Sequence, residues 1–315
     1  MTTVEIKENK WVEACNEAGF KSVFSDIKFI NVYSEAYNTT PRYFVVRQHK
    51  KIQVLLSAFS SKTTLSYPIH YMFTPIWVND REGEIVRNRA VEALLVFLKK
   101  RYKKIKIRLP VGFTDIRPFY WQGFTPTHKY TYIKDLRKLE YHANINRILK
   151  KADSSYSFEE GEWSNMIETI HSNDLKELGF SRSIVTKVLS SFKKLHNKNK
   201  MIIINGMNKG KIVGSDILLV DSGQKYAYMF FISKSYGHYK SGFPALKYDY
   251  IFKYLKSMGV EKVDMFGANY SSIAEYKSKF NPELAEFFEV SYSAGRYLFN
   301  NLQSSAKMLV KRLIR

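Results

Sequence analysis

Two stretches of this chain repeat one another at a fixed offset, and that echo constrains the fold more than any composition does. Ile105-Lys106-Ile107-Arg108-Leu109 leads through Phe119-Tyr120-Trp121 and Phe124-Thr125-Pro126 to Tyr130-Thr131-Tyr132. Glu261-Lys262-Val263-Asp264-Met265 leads through Glu275-Tyr276-Lys277 and Phe280-Asn281-Pro282 to Glu286-Phe287-Phe288. Ile107 and Val263, Phe124 and Phe280, and Pro126 and Pro282 each stand 156 positions apart, so the register holds without a gap. Upstream, Ile85 to Tyr102 and Pro244 to Met258 both read as amphipathic helices that deliver the chain into a short β-branched strand. A duplicated α/β unit follows, with each half ending in helix, strand, polar loop, short helix, Phe-x-Pro turn and aromatic strand.

A chain of 315 residues is long enough for two cores, and 45% hydrophobic content argues for packed globular structure. Apolar runs such as Ala93 to Leu98 are too short to span a bilayer. The opening Met1 to Glu8 mixes charges and lacks the apolar stretch of a secretory signal, which leads to a cytoplasmic expectation. Cys15 is the only cysteine and the seven histidines are scattered, so the pattern suggests neither a disulfide nor a metal site. A formal charge of +21 sets up a field that attracts polyanions: nucleic acid, anionic lipid or phosphate-bearing molecules. Its densest runs are Lys99 to Lys104, Arg147 to Lys151 and Lys193 to Lys200, each also readable as a solvated face.

Along the chain the pattern predicts a helix from Lys10 to Gly19, then strands Tyr43 to Arg47 and Ile52 to Phe59 about a polar turn. A basic helix, His142 to Ala152, lies between the halves. The second half opens with helices Ser164 to Lys176 and Ser183 to Lys194, followed by strands Met201 to Asn205, Lys211 to Val220 and Lys225 to Ile232. These boundaries divide the chain into domains at 1–140 and 141–295, with a basic amphipathic helix at 296–315. That last helix reads either as packing on the protein's own body or as contact with an anionic membrane.

Helix, helix, three antiparallel strands, helix, strand, helix, strand is the order found in GNAT acyltransferases. Asp115 to Phe124 followed by Tyr130 to Leu136 resembles the end of the first domain in Fem-related proteins, the peptidoglycan-bridge aminoacyltransferases and their bacterial relatives. Asn146 to Ala152 resembles the basic helix that follows there, and Val263 to Asn269 with Ile273 to Phe280 resembles the strand, Gly-polar turn and aromatic-Lys helix of the second domain. The resemblance covers about Tyr43 to Tyr292. It implies two tandem GNAT-like domains of α/β (α+β) class with mixed, mostly antiparallel sheets flanked by helices. It also implies an acyltransferase acting on a cell-envelope precursor, either a peptidoglycan or a surface polysaccharide.

Acyl transfer passes through a tetrahedral oxyanion that fixed positive charge stabilises. The resemblance places Tyr276-Lys277 beside the acyl-transfer site, which makes Lys277 the expected oxyanion donor; a lysine on an exposed helix face is the alternative. Tyr276 follows Asn269 by seven residues, the spacing at which single-domain GNAT enzymes carry the Tyr that reprotonates a thiolate. It reads equally as a half-buried core aromatic, and Asn269 is expected to shape the donor side. The stretch where acyl-CoA enzymes cradle pyrophosphate is Tyr239-Lys240-Ser241-Gly242-Phe243-Pro244. Only Gly242 fits that cradle, Pro244 has no N–H to offer, and Lys240 stands as a point charge with Tyr239 in place of the usual Gln or Arg. On the acceptor side the family's acid before a proline is absent, since Leu109 precedes Pro110. Asp115 is the candidate substitute for orienting an amine, with helix capping as its other reading. Arg117, Trp121, His70 and Tyr71 are expected to line an acceptor cleft, Arg117 by gripping an anion and Trp121 by stacking on a sugar.

The reading calls for no bound cofactor, with aminoacyl-tRNA or acyl-CoA as co-substrate. Two alternatives stay open: an acyl-CoA-dependent N-acetyltransferase acting on a sugar amine or small molecule, and a non-catalytic polyanion-binding protein on the same scaffold.

Overall fold

The computed structural model describes residues 1–151, 155–234, 238 and 242–295. The expected helix at 296–315 lies outside them. Their contacts divide the chain into two compact units.

The first unit is built from β1 (Thr2–Ile6), α1 (Glu8–Ala18), β2 (Thr40–Gln48), β3 (Lys51–Ser61), β4 (Thr64–Ser66), β5 (Ile76–Val78), α3 (Glu84–Arg101), β6 (Lys104–Arg108) and α4 (Arg117–Trp121). The numbering skips α2 (Ile27–Tyr37), which belongs to the second unit. His49 and Lys50, both with positive φ (46° and 71°), make the tight turn that joins β2 to β3. Two consecutive left-handed residues give a hairpin turn whose twist matches its strands. In α3 the residues Ala90, Val91, Leu94, Leu95 and Leu98 are buried. They meet Phe44, Val54, Leu56, Ile105 and Ile107 from the sheet in one apolar cluster. That spacing is one face of a helix laid on alternating strand positions.

The second unit contains α2, the later part of β7 (Thr125–Asp135), α5 (Ala143–Lys151), β8 (Tyr156–Gly161), α6 (Asn165–Glu177), α7 (Arg182–His196), β9 (Ile202–Asn208), β10 (Lys211–Asp221), β11 (Tyr226–Ile232), α8 (Phe243–Ser257), β12 (Lys262–Asp264), α9 (Ser271–Ser278) and the start of β13 (Glu283–Ser293). Its strands run in the order β7-β12-β11-β10-β9-β8. β8 to β11 form an antiparallel meander, whereas β11 and β12 are parallel. Ile204, Leu218, Ile251, Phe252, Val263, Met265 and Phe280 fill one face with α8 and α9.

Both copies of the echoed strand occupy the same place. β6 lies between a parallel neighbour, β4, and an antiparallel one, β13. β12 lies between parallel β11 and antiparallel β7. The last strand of each half is therefore exchanged: β7 follows the first half in sequence but pairs Ile133, Lys134 and Asp135 with Asp264, Val263 and Lys262. β13 follows the second half but pairs Val290 with Ile107 and Tyr292 with Ile105. The sequential division at 140 is corrected accordingly, because Phe287 onward belongs to the first unit while Lys21–Tyr37 and Lys129 onward belong to the second. Among the described residues, no helix is long and apolar enough to cross a membrane.

Candidate functional site

The chain leaves β12 through a turn in which Phe266 (φ 55°) and Gly267 (φ 75°) are both left-handed. Two polar side chains hold that turn. The Asp264 carboxylate, through Oδ1, accepts the Phe266 N–H at 2.8 Å and the hydroxyl of Thr131 from β7. Lys277, from the last turn of α9, donates to the Phe266 carbonyl at 2.7 Å and to the Met265 carbonyl. One residue, Phe266, is thus gripped at its N–H by an acid and at its C=O by an ammonium.

Lys277 is only 7% exposed, so it is no surface lysine. Burial pulls its ammonium down from the usual lysine range to about 8; Asp264 opposes the shift and Lys247 adds to it. Two of its three N–H groups serve the carbonyls, and the third has no partner among the described residues. Gly267 is required here, because a Cβ would lie 3.2 Å from the Lys277 Nζ and 3.3 Å from Ile273, on a backbone already left-handed.

The parallel pairing of β11 with β12 covers only Tyr226 to Tyr228 against Lys262 to Asp264. β11 continues to Ile232 with no β12 partner among the described residues. The pairing of the two strands thus ends at Tyr228 and Asp264, next to the turn that Lys277 holds.

The expected neighbours of Lys277 are placed less simply. Tyr276 is half-buried, edge-on to Tyr248 (5.8 Å) and Phe280 (5.5 Å), with its phenol buried and lacking a hydrogen-bond partner. Burial raises its phenol well above the ordinary tyrosine range, which fits the core-aromatic reading. Asn269 pairs its side-chain amide with the backbone of Tyr130, accepting from N at 2.9 Å and donating to O at 2.8 Å. It imitates a strand neighbour and fastens the turn to β7. Gly242 is left-handed (φ 81°) and precedes α8, where its carbonyl accepts the N–H groups of Ala245 and Leu246. Tyr239 and Lys240 lie outside the described residues.

The acceptor-side residues sit in the first unit. Asp115 accepts the Arg117 backbone N–H and pairs with its guanidinium at 2.7 Å, but the residue at the N-cap of α4 is Ile116, not Asp115. The guanidinium holds that carboxyl below the ordinary range, with burial opposing. Arg117 is also bound to Glu84 at 2.8 Å, and Trp121 stands exposed at 55% with the guanidinium 5.9 Å from its ring centroid. Trp121 therefore is not a core residue. Tyr71 is fully enclosed against Phe59 (5.1 Å) and has no surface to offer an acceptor, which corrects that expectation. Half-buried His70 has its imidazole pushed down to about 4 by burial and by the Arg108 charge.

Two groups carry no role in the sequence reading. Asp264 stands inside the quoted strand motif, yet nothing in its spacing signals a buried acid. In the first unit Arg108 binds Tyr67 at 3.0 Å and Glu289 at 3.3 Å, while Glu289 also receives Lys106 at 2.9 Å. Arg108 occupies the echo position of Asp264 and Trp121 that of Lys277, so the first half holds neither group at the matching place.

No family model and no curated protein sequence matches the chain. Solved structures do. FemX is similar at 12% identity over 95% of this chain and 99% of that one, with a TM-score of 0.66. A tandem GNAT protein from the clavulanic acid biosynthesis pathway is similar at 10% identity over 93% and 98%, with a TM-score of 0.59. L-PGS from Bacillus licheniformis is similar at 15% identity over 98% of both chains, with a TM-score of 0.57. With two halves that place β6 and β12 alike, this chain has the tandem GNAT fold, built as in FemX.

Proposed function

We propose that this protein is an acyltransferase that moves an acyl or aminoacyl group onto an amine of a cell-envelope precursor, working from the cytoplasmic side. The observation that carries the reading is the buried Lys277 ammonium, held by two carbonyls with one N–H left over, next to where the β11/β12 pairing ends. A donor acyl chain that enters where the β11/β12 pairing ends would bring its carbonyl to that N–H, where the developing oxyanion gains most from a positive charge shielded from water. Asn269 and Gly267 hold the turn that aims the ammonium, and Tyr276 forms the apolar wall behind it. The motif resemblance to Fem-related proteins and the structural likeness to FemX support the envelope acceptor.

For the donor we favour aminoacyl-tRNA over acyl-CoA. Pro244 withholds an amide from the first turn of α8, and the runs Arg147 to Lys151 and Lys193 to Lys200 offer cationic surface to a polyanion. The protein is to be incubated with pools of aminoacyl-tRNA and of acyl-CoA, and consumption of each donor followed. Charged tRNA is expected to be consumed, with binding that falls steeply as salt rises. Tight, stoichiometric acetyl-CoA binding by calorimetry, with no tRNA effect at low salt, would move the reading to an acyl-CoA N-acetyltransferase. Salt-sensitive tRNA binding with no turnover of either donor would leave only the non-catalytic polyanion binder.

A further inference from the structure

We infer that Asp264 is the general base of this site, taking a proton through its second carboxylate oxygen from the acceptor's ammonium so that the freed amine can attack. The inference rests on the acyl-transfer reading above and adds the group that makes the acceptor nucleophilic.

Asp264 is fully enclosed, and its Oδ1 already serves both Thr131 and Phe266. Oδ2 is buried and has no hydrogen-bond partner among the described residues. An enclosed carboxylate oxygen without a donor is destabilising, and an asparagine would serve Thr131 and Phe266 equally well through its own oxygen. The fold itself does not demand such an arrangement. In the first unit the corresponding strand end carries Arg108, and the acid there, Glu289, has Tyr67 and Arg108 on one oxygen and Lys106 on the other. The empty oxygen of Asp264 is explained if the acceptor brings the missing donor. A primary ammonium has the N–H groups to fill it, and the β11/β12 pairing ends at the Tyr228–Asp264 couple, so an acceptor would reach the acid from beyond that last pair.

The surrounding groups fit the role. Thr131 on β7, Tyr226 and Tyr228 on β11 and Lys277 on α9 surround the carboxyl, and Lys247 on α8 acts on Lys277 in turn. Burial pushes the Asp264 carboxyl up to about 6, against the Thr131 and Phe266 hydrogen bonds and the Lys277 charge. Near neutral pH the acid is ionised and Lys277, at about 8, is protonated. The step balances as follows. Asp264 takes one proton from the ammonium, the amine nitrogen bonds to the acyl carbon, and the carbonyl oxygen becomes an oxyanion facing Lys277. Collapse then breaks the acyl C–O or C–S bond, a second proton from nitrogen passes to the leaving oxygen or sulfur, and Asp264 releases its proton to water.

The test compares wild type, Asp264→Asn, Thr131→Val and Lys277→Met, using the donor that the pool experiment identifies. The acceptor probes are Nα-acetyl-lysine, glucosamine and hydroxylamine, the last already unprotonated at pH 7. Asp264→Asn is expected to lose roughly 100-fold or more in kcat/KM with the two ordinary amines, as loss of a general base does. It should keep most of its rate with hydroxylamine and lose the acidic limb of the pH profile. Thr131→Val, which removes a hydrogen bond to the ionised acid, should move that limb to higher pH and keeps the test open should Asp264→Asn fail to fold. Lys277→Met should lose activity with every acceptor. Equal losses with all acceptors in Asp264→Asn, or an acidic limb unmoved in both Asp264→Asn and Thr131→Val, would overturn the base while sparing the acyltransferase reading. Wild type that turns over neither donor with any probe would overturn both.

Discussion

At the scale of single residues, the site is a pair of opposite charges buried on either side of one peptide unit, and its two members make separate demands. Lys277→Met removes the proposed oxyanion donor and is expected to lower turnover roughly 100-fold or more, measured as donor consumption, with circular dichroism unchanged. Near-normal activity in that variant would reduce Lys277 to a brace for the turn after β12. Asp264 should reveal itself in stability as well. Its carboxyl titrates at about 6 in the folded chain against an ordinary value of 3.8 when unfolded. Between those limits the folded chain holds a proton that the unfolded chain has lost, so stability falls as pH rises through the window and stays low above it. Asp264→Asn, which retains an oxygen for Thr131 and Phe266, should therefore melt above wild type at pH 7, by on the order of 2 kcal/mol. The gap should close toward pH 4 in paired thermal melts. Lys277 was legible because an aromatic-Lys pair sat in a recognisable motif. Asp264 was not, since an acid in a short strand looks the same in sequence whether it faces water or the interior. Tyr71 failed for the converse reason: a Pro-Ile-His-Tyr loop reads as surface, and only the packing against Phe59 encloses it.

Elements whose apolar spacing matches one period were legible: α3, α6, α7, α8, β10 and β11 appear within a residue or two of their expected bounds, while β9 runs three residues past its expected end. α2 was not. Ile27-Lys28-Phe29-Ile30-Asn31-Val32-Tyr33 is rich in β-branched and aromatic residues, which blurs helix against strand. What makes it a helix is Asp26, whose carboxylate accepts the N–H groups of Lys28 (2.8 Å) and Phe29 (3.2 Å), together with burial of Phe29, Ile30 and Tyr33. α2 then packs on α7, fastened by Lys194 to Glu35 and Lys200 to Asp26. Asp26→Ala should destabilise the protein by about 1 kcal/mol, seen as a lower denaturant midpoint with an unchanged slope. A variant as stable as wild type would mean that packing alone holds α2. The identity of a strand's neighbour was equally illegible. Alternation in Thr125–Asp135 tells which side chains share a face, and nothing in it tells which strand lies alongside.

For the whole molecule the exchange of final strands decides what can exist alone. A fragment ending at residue 140 lacks the strand that completes β6, and it carries Lys21–Tyr37 without the unit on which that segment packs. A fragment from residue 141 lacks β7, the antiparallel partner of β12, and with it Thr131 and the backbone that Asn269 holds. Neither is expected to give a cooperative melt by circular dichroism, and co-expression of the two should restore one. A cooperative transition in either fragment by itself would contradict the interleaving. The same arrangement bears on synthesis. Domains are generally completed in the order in which they leave the ribosome, yet here the unit that holds the start of the chain waits for Phe287–Ser293, while the unit ending at Glu286 has all of its strands first. During translation the edge of β6 stays open until β13 has been made, a window in which a chaperone has more to protect in the first unit than in the second.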